Sequence, residues 1–270
     1  MSTNLTATPI HRDVVIITGD DAPEYIQSQL SQDVLSLPRG RSRWSFILTP
    51  RSEIEAMIRV TRTVDGFILD AASGDGDRVR QRLDGPLFRM DVDFTQETWP
   101  GVAWRGEGAL GVEGDAPIMA TLPWGDIEAL DEVGPDVQVP ADVGALTQGE
   151  LDAIRIGAKW PGEAEIDGKA TPAMTGIVEH TVDFDKGCYT GQEFVARVHY
   201  RDAAPPRRLV QITFESGADV VETAEVMVDG ESVGTVTSVV SRYGVALGYC
   251  KRSVVLPAEG VVGSTGVVLS

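Results

Sequence analysis

Eight consecutive residues, Lys186-Gly187-Cys188-Tyr189-Thr190-Gly191-Gln192-Glu193, place a cation, a thiol, an aromatic ring, an amide and a carboxylate on one short stretch. A cation beside a thiol favours the thiolate, its nucleophilic form. A carboxylate and an amide suit a ligand with an N–H edge. Gly187 and Gly191 permit tight turns or close approach of a ligand to the backbone. Each of these features has a structural counterpart. Thr190 and Glu193 fit the T-x-x-E capping box, and Phe194, Val195 and Val198 follow at helical spacing. Cys188 has the alternative of a buried, inert thiol. Capping leaves Lys186, Cys188, Tyr189 and Gln192 unexplained.

From Lys186 to Arg208 stand five basic residues (Lys186, Arg197, Arg201, Arg207, Arg208) and two acidic ones (Glu193, Asp202), in a chain of net charge −18. That local inversion suggests an anionic ligand; a solvated basic loop would look the same. The global charge repels duplex nucleic acid. The two cysteines, Cys188 and Cys250, are too far apart for a C-x-x-C motif, and His11, His180 and His199 follow no metal spacing, so no metal is expected. No apolar run reaches the roughly 18 residues of a membrane span. The first apolar run, Val14 to Ile17, is too short for a signal peptide. A cytoplasmic chain without a membrane partner is expected, as a monomer.

The elements that must position these groups follow from pattern. Residues 1–12 read as a loose terminus, Val14 to Thr18 as a strand, and Pro23 to Leu30 as a helix capped by Asp21. Strands are expected over 44–48, 54–60 and 67–71, and a helix from Arg78 to about Leu83, capped by Asp77. Gly106-Glu107-Gly108-Ala109-Leu110-Gly111 has the spacing of a dinucleotide fingerprint, but turn-like residues follow it where a helix is needed. Ile118 to Leu122 reads as a strand, Ile127 to Leu130 as a short helix or connector, and Gln148 to Ile156 as a helix. After Pro205-Pro206 the pattern becomes β-rich, with strands expected over 209–214, 225–228, 232–240, 245–249 and 266–269, a small barrel or sandwich.

K-G-C-Y-T-G-Q-E resembles the signature of the YgfZ family of folate-binding proteins, which is related to the aminomethyltransferase (T-protein) of the glycine cleavage system. Thr18-Gly19-Asp20-Asp21-Ala22, the stretch Tyr25 to Val34, Arg207-Arg208-Leu209 and Gly234 to Ser238 are similar to the family as well. The resemblance implies an α+β fold of T-protein type: a three-domain ring of two mixed α/β domains with antiparallel sheets plus a C-terminal β-barrel. The corresponding domains would be 1–45 with 115–204, 46–114, and 205–270. It implies tetrahydrofolate or a derivative, polyglutamylated forms included, in the central hole of the ring. Lys186, Gly187, Tyr189, Gly191, Gln192, Glu193, Arg197 and Arg207 would hold it. It further implies that Cys188 is a functional thiol in maintaining or repairing iron–sulfur client enzymes, one of them a tRNA-modifying enzyme.

The chain departs from the family at several points. Arg51-Ser52 stand where a glycine is usual after Pro50, Ile156-Gly157 replace E-x, and Pro172-Ala173-Met174 replace P-x-E. Lining up Asp70-Ala71 with the transferase branch's N-A places Asp77 at that branch's catalytic aspartate. A tetrahydrofolate-dependent aminomethyltransferase is therefore the alternative reading; the missing acids and the presence of Cys188 argue against it.

Overall fold

The computed structural model describes residues 4–85, 87, 89–125, 127–201 and 204–270. The chain forms two compact units, Met1–Leu146 with Glu179–Phe194, and Thr147–Val178 with Val195–Ser270. Among the described residues no helix is long and apolar enough to cross a membrane.

The first unit contains β1 (Thr6–Thr18), α1 (Ala22–Gln29), β2 (Ser42–Leu48), β3 (Ile54–Arg62), β4 (Gly66–Ala72), α2 (Gly76–Asp84), β5 (Asp93–Arg105), β6 (Ile118–Thr121) and β7 (Ala129–Val133). Its strands make one antiparallel sheet in the order β2-β3-β4-β1-β5-β7-β6. The expected loose terminus is thus mostly strand, because β1 pairs with β5 along its whole length. The expected connector at 127–130 runs into β7. One face of the sheet, through Val15, Ile17, Ile58, Val60 and Leu69, packs in a common core with Tyr25 and Ile26 of α1 and Val79 and Leu83 of α2.

The opposite face carries Val14, Ile68, Trp99, Ile118 and Val133, and beside them a seam of charge. Arg59 donates to both oxygens of Asp70 (2.6–3.1 Å) and to Asp131 Oδ2 (2.7 Å). Arg12 Nε donates to Asp70 Oδ1 at 2.8 Å, and Arg105 lies 2.8 Å from Asp131 Oδ1. Trp44 and Trp124 set their rings 5.3 and 4.7 Å from the Arg59 and Arg105 guanidinium carbons. Arg59 and Asp131 stand on strands that are not neighbours, and Cα atoms of the edge strands β2 and β6 come within 8 Å. The sheet is therefore curled, with the seam inside the curl.

The cap of α2 differs from expectation. The helix begins at Gly76, so Asp77 falls inside its first turn. The carboxylate that accepts from the loop and the helix start is Asp13 on β1, which takes Gly74 N–H (2.7 Å), Gly76 N–H (3.0 Å) and Thr98 Oγ1–H (2.9 Å). Burial raises the Asp13 pKa, but these donors outweigh it and hold the group below its ordinary 3.8. Asp21, expected to cap α1, spends its carboxylate on Asp91 N–H (2.8 Å).

The second unit contains α3 (Gln148–Gly157), α4 (Pro172–Thr175) and a closed barrel. A further short helix, α5 (Val178–Thr181), and α6 (Gln192–Tyr200) cross the boundary between the units. The barrel strands are β8 (Arg207–Phe214), β9 (Glu225–Val228), β10 (Glu231–Val240), β11 (Val245–Lys251), β12 (Ala258–Val262) and β13 (Thr265–Leu269), in the order β10-β11-β8-β13-β12-β9. Closure leaves no strand edge unpaired, and Val210, Ile212, Val236, Ala246 and Leu269 fill the interior with Cys250. Thr147 and Glu150 form the capping box of α3. Glu165, fully buried, accepts from Gly162 N–H (2.6 Å), Thr237 (2.5 Å), Ser238 (2.6 Å) and Arg155 (3.1 Å). That carboxylate fastens its loop to α3 and β10.

Candidate functional site

Helix α1 ends at Gln29, and its last turn leaves carbonyls without intrahelical donors. Ile26 C=O takes Leu30 N–H. The next two are taken by the signature segment. Gln27 C=O accepts from Lys186 Nζ at 2.6 Å, and Ser28 C=O accepts from Thr190 N–H at 3.2 Å. Lys186 Nζ donates as well to Leu30 C=O (2.6 Å) and Gln32 C=O (3.0 Å). All three donors of the ammonium are thereby spent on backbone carbonyls. The Tyr189 ring lies 5.1 Å from the same nitrogen.

Further bonds lay the segment along the turn after α1. Ser31 Oγ–H donates to Thr181 C=O (2.6 Å), Asp183 N–H to Ser31 C=O (3.0 Å), and Gln32 Nε2–H to His180 C=O (3.4 Å). Asp183 Oδ1 accepts from Asp185 N–H (2.8 Å) and Lys186 N–H (3.0 Å), a local turn of the kind aspartate favours. Gly191 then presses on the turn after β2. A Cβ there would meet Thr49 O at 2.5 Å, and its φ of +82° lies in the left-handed region. Ser52, in the same turn, holds φ +64°.

The segment's chemistry is split by this packing. Lys186 and Tyr189 point into the fold: Tyr189 is buried, and burial together with Asp183 pushes its pKa up to about 12. Burial pulls Lys186 down to about 8, against the opposing pull of Asp33 and Asp183. Gly187, Cys188 and Glu193 are exposed, and Gln192 is half-buried. Cys188 and Cys250 are both free thiols, the second buried in the barrel. The Thr190 N–H goes to Ser28, and α6 begins at Gln192, which puts Glu193 in its first turn.

The other expected site residues lie as follows. Arg197 is exposed on α6, four residues after Glu193. Arg207, in the second unit, donates to Asp167 Oδ2 (2.7 Å) and stacks over Tyr249 (4.2 Å). Arg208 donates to Val254 C=O at 2.6 Å. Asp77 is exposed on α2 and accepts from Gln96 at 2.9 Å. Asp202 lies outside the described residues. Among the described residues no group of three or more His, Cys, Asp or Glu is placed to hold a metal. Residues 27–32 had no role assigned from the sequence, although their stretch carried part of the resemblance; the structure makes them the seat of the signature.

No protein-family model matches the sequence. The chain is 24% identical over 244 residues to a tRNA-modifying protein YgfZ of Vibrio atlanticus, covering 82% of this chain and 72% of that protein. It is 23% identical over 239 residues to an uncharacterised protein of Haemophilus influenzae, covering 86% and 83%. It is 21% identical over 250 residues to a mitochondrial iron–sulfur cluster assembly factor IBA57 homolog of Pyricularia oryzae, covering 84% and 64%. In fold it matches the crystal structure of glycine cleavage system aminomethyltransferase T from Bartonella henselae, with a TM-score of 0.72, 18% identity, and 99% and 85% of the two chains covered. The similarity to YgfZ proteins and the α+β fold of T-protein type, both implied by the signature, are borne out.

Proposed function

We propose that this chain is a folate-binding factor that supports iron–sulfur enzymes, with Cys188 as its working thiol. The observation that carries the reading is the placement of Cys188. It is the exposed one of two free thiols, and it stands on a segment tied to α1 on both sides, through Lys186 and Thr190. An exposed thiol on an anchored backbone can meet a partner protein's surface without first being uncovered. The relatives named as tRNA-modifying protein YgfZ and as an iron–sulfur cluster assembly factor support the same class of work, with iron–sulfur client enzymes as partners.

The donor set fits tetrahydrofolate or a polyglutamylated derivative. The Glu193 carboxylate and Gln192 amide, side by side at the start of α6, supply an acceptor and a donor for an aminopyrimidine edge. Arg197 adds a cation on the same helix for a carboxylate tail. When bound, such a folate supplies a one-carbon carrier.

The thiol is tested in a strain lacking the gene. Complementation with Cys188→Ala should leave iron–sulfur enzyme activity under oxidative stress at the level of the empty vector, and full rescue would overturn the thiol's role. The folate site is tested by titration calorimetry with tetrahydrofolate. Glu193→Ala should weaken binding about tenfold or more, the loss expected for a hydrogen bond to a charged group. Equal affinities of wild type and variant would remove Glu193 from the site.

A further inference from the structure

Lys186 has the residue type of a ligand-binding cation, yet its geometry points elsewhere. Its ammonium sits at 2.6, 2.6 and 3.0 Å from the carbonyl oxygens of Gln27, Leu30 and Gln32, three acceptors from one turn of chain converging on one nitrogen. An ammonium has three donors, so none remains for an anion. Carbonyls left over at a helix end carry partial negative charge and favour a cation there. The acceptors belong to residues 27–32 and the donor to residue 186, so the contact closes a long stretch of chain onto the end of α1.

We propose that Lys186 is the positioning residue of the Cys188 thiol, its ammonium plugging the carbonyl cage at the end of α1 and so fixing the backbone that presents Cys188. This rests on the reading of Cys188 as the working thiol. The same short run is also held by the Asp183 turn on one side and the Thr190–Ser28 bond on the other. Between them Gly187 and Cys188 are exposed, and a Cβ on Gly187 would meet nothing within 4 Å. The position of the thiol is therefore set from its flanks, where the Lys186 ammonium makes three hydrogen bonds.

The plug is also sensitive to protonation. Burial brings Lys186 to about 8, and the charged groups acting on it are Asp33, from the turn after α1, and Asp183, from its own segment. A neutral amine has two donors, so deprotonation releases one of the three carbonyls.

The test is hydrogen exchange read by mass spectrometry, with alkylation of Cys188 by iodoacetamide as a second readout; buried Cys250 serves as internal reference. In Lys186→Met, which removes all three bonds, protection of the 186–190 amides should fall at least about tenfold, the factor for a single hydrogen bond to a charged group. Protection of β1 and β4 amides should stay at the wild-type level. Cys188 alkylation, corrected for thiolate fraction, should change in the same variant. In the unmodified protein, protection of the same segment, corrected for the intrinsic rate, should fall as pH rises through about 8, a step absent from Lys186→Met. Unchanged local protection, or a uniform loss across the sheet, would each overturn the proposal; a pH-independent wild-type profile would overturn its protonation dependence. None of these readouts depends on complementation by Cys188→Ala, so failure here and failure of the functional reading are separable.

Discussion

Replacing Asp70 by leucine should cost about 3–5 kcal/mol of stability, the range for removing one partner from a buried ion pair. Replacing Arg59 by methionine should cost well under half of that. The asymmetry comes from the charge of the seam. Among the described residues Arg12, Arg59 and Arg105 pair only with Asp70 and Asp131, and Arg59 and Asp70 are fully buried. Loss of Asp70 leaves three guanidinium groups against one carboxylate. Loss of Arg59 leaves two matched pairs, Arg12 with Asp70 and Arg105 with Asp131. Simple loss of hydrogen bonds predicts the reverse order, because Arg59 bonds to both carboxylates. Urea denaturation of the two variants decides between these views, and equal losses would mean that charge balance does not govern the seam. Acid should act on the same groups. Burial raises the Asp131 pKa, but Arg105, Arg59 and Arg12 overcome it and hold the group below its ordinary 3.8. A depressed carboxylate contributes fully above its unfolded value and loses that contribution as pH falls through the folded one. The wild-type midpoint in urea should therefore drop below about pH 4, and the drop should shrink in Asp131→Asn.

The sequence carried the signature, the barrel and most strands, because each is encoded by local spacing or alternation. It did not mark β5. That strand holds Pro100 and Gly101 in mid-run and a polar stretch from Thr95 to Thr98, features that demote a strand reading. The structure gives Gly101 its reason: a Cβ there would stand 2.6 Å from Glu132 O on β7. β7 itself reads as a connector because Asp131 faces inward, where a period-two pattern calls for an apolar residue. Arg59 misleads in the same way, since a charge alternating with Ile58 and Val60 reads as solvent-facing until the sheet is curled over it. At the site, the types of Lys186, Cys188 and Glu193 were legible but their directions were not. Lys186 turns inward because its partners are backbone carbonyls, and main-chain acceptors leave no trace in residue identity. Likewise the αL position at Ser52 is invisible in a turn that glycine would have announced.

Gly191→Ala should destabilise the first unit by about 2–5 kcal/mol, while Gly187→Ala, four residues earlier in the same signature, should stay within about 0.5 kcal/mol. Two terms add at Gly191. Its φ of +82° is a conformation that costs an L-residue about 1–2 kcal/mol. The new methyl would also stand 2.5 Å from Thr49 O and 3.1 Å from Leu48 Cβ, an overpacking that costs about 1–3 kcal/mol. Thr49 cannot easily retreat. Its carbonyl accepts Ser52 N–H and its own N–H donates to Glu53 C=O, both at 2.9 Å, so yielding would open the turn after β2. Gly187 has nothing within 4 Å of a Cβ and no left-handed φ. The comparison is made by urea denaturation, with Cys188 alkylation as a local readout. Because Gly191 seats the start of α6 on that turn, its replacement should also disturb Cys188 more than replacement of the adjacent Gly187 does. If both alanines are equally benign, the close approach of the signature to β2 is wrong, and with it the account of how the segment is held beyond α1.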